Sequence, residues 1–335
     1  MSTSNDDLAR RRACLSPEQQ AALARRLKGR AGGVEVRALQ AAPARTYPHV
    51  GPLSFAQQRQ WFYWQLDPAS TAYHLGGALH FDGVLHLAAL KGAFDALVAR
   101  HEGLRTVLRE RDDGTVEQIV QAAMPLDIPV LDLGDLPQDA QEASATDEIA
   151  RQQALPFDLR AGPMLRVAVL RLAGQRHTVV VVMHHAVTDA WSKQIVLGEF
   201  VANYTGLVRD GQLPVRPPLA CHLVDHARTQ RAWLGSPEQA RQLAYWRDRL
   251  TCPGGDGEHP VLRLPSDGPR EPSGSRRALE LSCAVPDDLA DRLRLRAQAQ
   301  GGTLFTALLA AFQAMLQRFS GLDDIRVGVP TAGRH

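Results

Sequence analysis

Val179 to Met183 is an unbroken apolar run, and with Thr178 it reads as one strand buried on both faces. A central strand of that kind has to be covered on both sides, so the rest of the chain must supply the layers that enclose it. The run ends in Met183-His184-His185-Ala186-Val187-Thr188-Asp189-Ala190-Trp191-Ser192. Two imidazoles therefore stand where a buried strand gives way to a turn. A rigid strand aims a side chain and the following loop leaves it reachable, so chemistry is often mounted at such a place. Imidazole is also the side chain best suited to move protons near neutral pH.

The surrounding chain alternates helices and strands from Tyr47 onward, as a mixed α/β protein does. Leu90, Phe94, Leu97 and Val98 share one helical face. Val196, Phe200 and Tyr204 recur at spacing four, which predicts a helix after the histidine turn. Residues 226–250 read as helical and charged, with Trp233, Tyr245 and Trp246. Thr251 to Ser275, rich in Pro and Gly, reads as an irregular crossover. Ala278 to Val285 alternates like a strand, and Asp287 is expected to cap a helix reaching about Gln300. Leu304, Phe305, Leu308, Leu309, Phe312, Met315, Leu316 and Phe319 predict a strongly buried helix, and Ile325, Val327 and Val329 a last strand. Residues 1–44 stand apart. Ser16-Pro17-Glu18-Gln19 opens a helix with an N-cap and a capping box, and Gly29 closes it, giving a short linker or docking helix.

With 335 residues, two lobes are expected. A net charge of +2 gives no reason to invoke nucleic acid or a membrane surface. No apolar run approaches the ~18 residues of a membrane span, and the N-terminus lacks a signal pattern. Cys14, Cys221, Cys252 and Cys283 form no CxxC pair, which suggests neither zinc nor a disulfide scaffold and points to a reducing cytoplasm.

Competing chemistries fare poorly. No GxSxG elbow supports a serine hydrolase, and no glycine-rich loop cradles phosphate. Adjacent strand side chains point to opposite faces, so His184 and His185 are ill placed to share a metal. Asp112-Asp113-Gly114 is a hairpin turn. Three roles stand open for Asp189: holding the imidazole tautomer, forming a buried ion pair with Arg105 or Arg334, or capping the helix that contains Val196 and Phe200.

Five segments in order resemble the core motifs of condensation domains in nonribosomal peptide synthetases. Ser54-Phe55-Ala56-Gln57-Gln58-Arg59-Gln60-Trp61-Phe62, continuing to Gln65-Leu66-Asp67-Pro68 and Tyr73, is similar to the first. Arg100-His101-Glu102-Gly103-Leu104-Arg105-Thr106 is similar to the second and His184 to Asp189 to the third. Leu223-Val224-Asp225-His226-Ala227 weakly resembles the fourth, and Val327 to Arg334 the fifth. The resemblance covers about 53 to 335. Trp191 before Ser192 follows the condensation order rather than that of the related epimerisation domains.

The resemblance implies a chloramphenicol acetyltransferase-like fold: two mixed α/β lobes in a V with a tunnel between them. It divides the chain into residues 1–44 as linker or docking helix, 45–222 as N-terminal lobe, and 223–335 as connecting helix with an incomplete C-terminal lobe. It implies His185 and His184 as catalytic histidines, with His185 positioning the acceptor amine or taking its proton. Backbone N–H groups near the turn would meet the oxyanion. Asp189 with Arg105 and Arg334 would form a structural ion pair, and Ala190, Trp191 and Ser192 would line the tunnel. No cofactor would bind directly, since substrates ride on the phosphopantetheine of carrier domains. The implied partners are upstream donor and downstream acceptor carrier domains and an adjacent adenylation domain.

Two departures carry expectations of their own. The family usually has Gly where this chain has Ala190, a problem if the position needs φ > 0 or close backbone approach. The substitution suggests a specialised subclass or a domain that recruits a tailoring enzyme. The chain also stops soon after the fifth motif, so the fragment is expected to condense poorly by itself, and the helix near Met1 suggests a donor arriving on a separate protein. A non-catalytic platform, a starter domain with a fatty acyl donor, and a stand-alone acyltransferase of the same fold remain as alternatives.

Overall fold

The computed structural model describes residues 45–250, 262–265, 268 and 281–330. The helix expected at Ser16–Lys28, most of the Thr251–Ser275 crossover and Arg334 lie outside the described residues. The chain divides into two units, Met1–Ser236 and Pro237–His335.

The first unit is built on two sheets. Strand β1 (His49–Pro52) leads into helix α1 (Phe55–Leu66), then β2 (His74–Asp82) and α2 (Leu87–Arg100). A 3₁₀ turn (Glu102–Arg105) is followed by β3 (Thr106–Glu110), β4 (Val116–Val120), β5 (Val130–Asp132) and α3 (Gln138–Ala154). The unit continues with β6 (Leu165–Arg171), β7 (Arg176–His184), α4 (Ala190–Asp210) and α5 (Leu223–Leu234). One sheet has the order β1-β4-β3, antiparallel throughout. The other has the order β2-β7-β6-β5, with only the β5–β6 pair parallel.

Strand β7 accounts for the apolar run. Side chains alternate along a strand, so its two faces serve two cores. Val179 and Met183 pack with Leu90, Phe94 and Leu97 of α2 and Phe200 of α4. Val180 and Val182 pack with Trp61, Leu108, Phe157, Met164 and Ala145 of α3. All four residues assigned to one face of α2 are buried. On α4, Phe200 is buried and Val196 and Tyr204 pack beside it. The Phe94 and Phe200 rings stack with centroids 4.5 Å apart.

The helical stretch expected over 226–250 is divided between two helices, α5 and α6 (Pro237–Leu250). Gly235 ends the first, and Pro237 opens the second, where its missing N–H costs no helical bond.

The second unit contains α6, α7 (Asp287–Ala299) and α8 (Leu304–Ser320) among its described residues. Pro286, not Asp287, is the N-cap of α7, and Asp287 and Asp288 sit in its first turn, where the helix dipole favours them. Helix α8 is capped by Thr303 and ends at Gly321 in the left-handed region, φ 71°. Its burial differs from expectation. Leu316 is buried, whereas Phe305, Leu308, Phe312, Met315 and Phe319 are exposed. Helix α7 packs on one side of it, and an apolar surface this broad needs more than one neighbour. The described parts of the two expected strands, 281–285 and Ile325–Val329, are not strands. An isolated extended segment has no ladder to join, and no strand occurs among the described residues of this unit. Among the described residues no single helix is long and apolar enough to cross a membrane.

Candidate active site

The third-motif residues stand at the end of β7. His184 is the last residue of the strand and pairs across the ladder with His74 of β2. It follows the alternation of Val180 and Val182, so its ring enters the protein and is only 4% exposed. The His184 N–H donates to Met164 O at 3.1 Å, and the Ala186 N–H donates to His184 Nδ1 at 3.1 Å. Nδ1 is thus an acceptor, and the ring proton of the neutral form sits on Nε2.

Burial pushes the His184 pKa down to about 4, with smaller contributions from His74 and His185. A buried ring that stays neutral at physiological pH is built to hold structure rather than to collect a proton. This gives a pH prediction with a definite sign. The unfolded residue titrates near 6.5 and the folded one near 4, so the unfolded chain binds more protons in between. The stabilisation is complete above pH 6.5 and is lost as pH falls toward 4. Between pH 7.5 and 4.5, wild type should lose roughly 2–3 kcal/mol more unfolding free energy than His184→Asn, whose amide oxygen can still accept from Ala186. Parallel urea titrations at the two pH values measure this; equal losses would contradict it.

His74, half-buried, stands beside His184. Its Nδ1 lies 2.8 Å from Gln153 O, and a carbonyl only accepts, so Nδ1 carries the proton. Its Nε2 is shut from solvent and unpartnered among the described residues. The rings of His74 and His184 are 6.0 Å apart, and both meet Phe157 edge-on. Burial lowers the His74 pKa as well. His74 is a site residue that the sequence did not mark: it sits in a strand without any motif spacing to draw attention to it.

His185 is presented differently. Its N–H donates to Tyr73 O at 2.9 Å, while its side chain is exposed. The Tyr73 ring stands edge-on at 6.4 Å, and Tyr73 in turn stacks on Tyr63 at 5.6 Å. Tyr73 and Tyr63 therefore wall one side of the one motif histidine that a substrate can reach.

The turn closes with Val187 N–H donating to His184 O, and α4 then begins. Asp189 is its N-cap: Oδ1 accepts from Ser192 N–H at 2.7 Å, and its carbonyl accepts from Lys193 N–H. The capping role is thus realised. The structure does not bring Asp189 to Arg105. The Arg105 guanidinium donates to Val98 O, Ala99 O and Gln121 O and lies 4.2 Å over the Tyr47 ring. Carbonyls at the end of α2 and beyond β4 have taken the donors that an ion pair would use.

Ala190 is exposed at the first position of α4. Among the described residues no non-glycine has positive φ, so this backbone does not require glycine at that place. Trp191 is 64% exposed and Ser192 half-buried. Among the turn amides, those of Ala186, Val187, Ser192 and Lys193 are already bonded. Those of Ala190 and Trp191 precede the first intrahelical bond, at the positive end of the helix dipole.

A family model described as the condensation domain matches residues 48–335. Over 284 residues the chain is 39% identical to a linear gramicidin synthase of Brevibacillus parabrevis, an overlap of 85% of this chain and 5% of that protein. Over 296 residues it is 37% identical to phosphinothricin tripeptide synthetase PhsB of Streptomyces viridochromogenes, covering 87% of this chain and 24% of that one. The chain thus spans a small part of either enzyme. Among solved structures it is similar to the X-domain in the complex of the X-domain and OxyB from teicoplanin biosynthesis. The TM-score is 0.71 at 28% identity, covering 87% of this chain and 61% of that one.

Proposed function

The chain belongs to the condensation-domain family, and from that membership we propose that it forms an amide between two carrier-bound substrates. The donor is an acyl or peptidyl group held as a phosphopantetheine thioester. The acceptor is the amine of an aminoacyl thioester on a second carrier domain, loaded by an adjacent adenylation domain. The observation that carries this reading is the division of labour at the end of β7. His184 is turned inward and kept neutral, and His185 is left exposed beside Tyr73.

The amine nitrogen attacks the thioester carbon, forming the C–N bond and placing negative charge on oxygen. Collapse breaks the C–S bond, and the departing thiolate takes a proton. His185 is the group that orients the amine and receives its proton during attack. The amides of Ala190 and Trp191 are the donors to the oxyanion. Asp189 holds the loop by capping α4, with Arg334 as the proposed ionic partner.

The reading is tested by supplying the protein with a donor-loaded and an acceptor-loaded carrier and following the acceptor by mass spectrometry. An acceptor heavier by the donor acyl group is the expected product. Hydrolysis of the donor alone, or no transfer, would remove the activity.

A second reading has one specific support. The similarity to an X-domain solved with OxyB favours a platform that holds a protein partner without joining substrates. Carrier binding without product would select it.

A further inference from the structure

The second and fourth motifs meet in a charged cluster that the proposed chemistry does not use. The Arg45 side chain is 5% exposed. It donates to Glu102 Oε2 at 2.6 Å and to Asp225 Oδ2 at 2.5 Å. Glu102 is 3% exposed and also accepts from the Tyr47 hydroxyl at 2.8 Å. Arg105 covers the Tyr47 ring, His222 Nδ1 lies 3.8 Å from Glu102, and Arg228 approaches the rim of Asp225 at 3.9 Å. Glu102 belongs to the 3₁₀ turn after α2 and Asp225 to the first turn of α5. Arg45 is the side chain that bonds to both.

These two pieces form a wall behind the His185 loop. Gly103 follows Glu102, and a methyl group placed on it would lie 3.5 Å from Val187 O and 3.8 Å from Leu223 Cδ2. Val187 is two residues beyond His185, and Leu223 is the first residue of α5. The backbone at Gly103 is therefore seated between the active-site loop and the helix that Arg45 ties to it. Arg45 itself precedes the segment with the family pattern, so no motif would single it out.

We propose that Arg45 is a positioning residue for His185: by joining Glu102 to Asp225 it holds the Gly103 turn and α5 together, and so fixes the surface on which Val187 rests. The inference rests on the amide-forming role for its kinetic consequence, but not for its structural one. Without the guanidinium, the buried Glu102 carboxylate loses its bonded cation beside the half-buried Asp225 carboxylate, and their repulsion would part the two pieces. Arg105 does not substitute, because its donors are committed to backbone carbonyls.

The test uses the full chain as Arg45→Met, Arg45→Lys and the double variant Arg45→Met with Glu102→Gln. Backbone hydrogen exchange is read at Ala186 and Val187, whose amides are bonded in the native turn. In Arg45→Met their exchange should speed up at least about 10-fold, while the β6–β7 ladder amides stay protected. Arg45→Lys should recover most of the protection. In the carrier assay kcat should fall about 10-fold in Arg45→Met, with KM for the loaded carriers changed by less than about 2-fold. Should Arg45→Met fail to fold, the double variant lacks the surplus charge and carries the same comparison. Unchanged exchange at Ala186 and Val187 in a folded variant lacking Arg45 overturns the proposal. A wild type that makes no amide, but whose loop loosens on loss of Arg45, defeats the catalytic reading and leaves the positioning one standing.

Discussion

Replacing His185 by alanine is expected to lower amide formation by about 10²–10⁴-fold, the range of a positioned general acid or base. The loss should fall on kcat, because in the proposed role the ring meets the reacting nitrogen and not the bulk of either carrier. Stability should move by less than about 0.5 kcal/mol, as for an exposed side chain without a structural partner. The ring's neighbour in the structure is the edge of Tyr73, and the bond that fixes the loop comes from the His185 backbone N–H, which alanine retains. Single-turnover assays with loaded carriers, run beside urea titrations, separate the two effects. A variant within 10-fold of wild type would remove His185 from the chemistry. His184→Ala is the informative contrast. It deletes the acceptor of the Ala186 amide and opens a hole against Phe157, so it should cost stability and activity together.

Replacing Phe94 by alanine is expected to destabilise the first unit by about 3–5 kcal/mol, as for a buried aromatic truncated to a methyl group. Phe94 is 1% exposed, stacks on Phe200, and lies where α2, α4 and the β6–β7 face converge. Little around it can collapse into the vacated volume. Asn203 of α4 donates to Ala93 O of α2, and Arg216 donates to Asn203 Oδ1, so a polar bridge fixes the spacing beside the ring. Total stabilities of domains are about 5–15 kcal/mol, so the loss would consume a large share. A lower urea midpoint at unchanged slope is the expected signature. A shift below about 1.5 kcal/mol would mean that the α2–α4 seam repacks.

How far each part was legible follows from the range of the forces involved. The amphipathic faces of α2 and α4 and the two-sided burial of β7 depend on residue order within one element, and each was readable from spacing. The break at Gly235-Ser236-Pro237 was also local, yet the charged run across it masked the signal. The burial expected for α8 was overstated for a different reason. Apolar content says that a face wants cover, and packing with another element decides whether it receives it. The strand at Ile325–Val329 failed likewise, because alternation supplies a pleat but not a partner. At the site, the third motif identified the residues. Their roles depended on which ring turned inward, and His74, whose Nε2 lies buried beside His184, carried no spacing that could announce it.

The sequence by itself determined the family, the element types around β7 and the position of the two histidines. These rest on local periodicity and on five ordered motifs, which need no knowledge of the fold. Only the tertiary structure decided that His184 is buried and His185 exposed, that Asp189 caps α4, and that Arg105 serves carbonyls instead of Asp189. It alone brought Arg45, Glu102 and Asp225 together across as many as 180 residues of chain. The physical reason is that hydrogen bonds and ion pairs are short-ranged: which donor meets which acceptor is set by packing, and packing is a property of the whole chain.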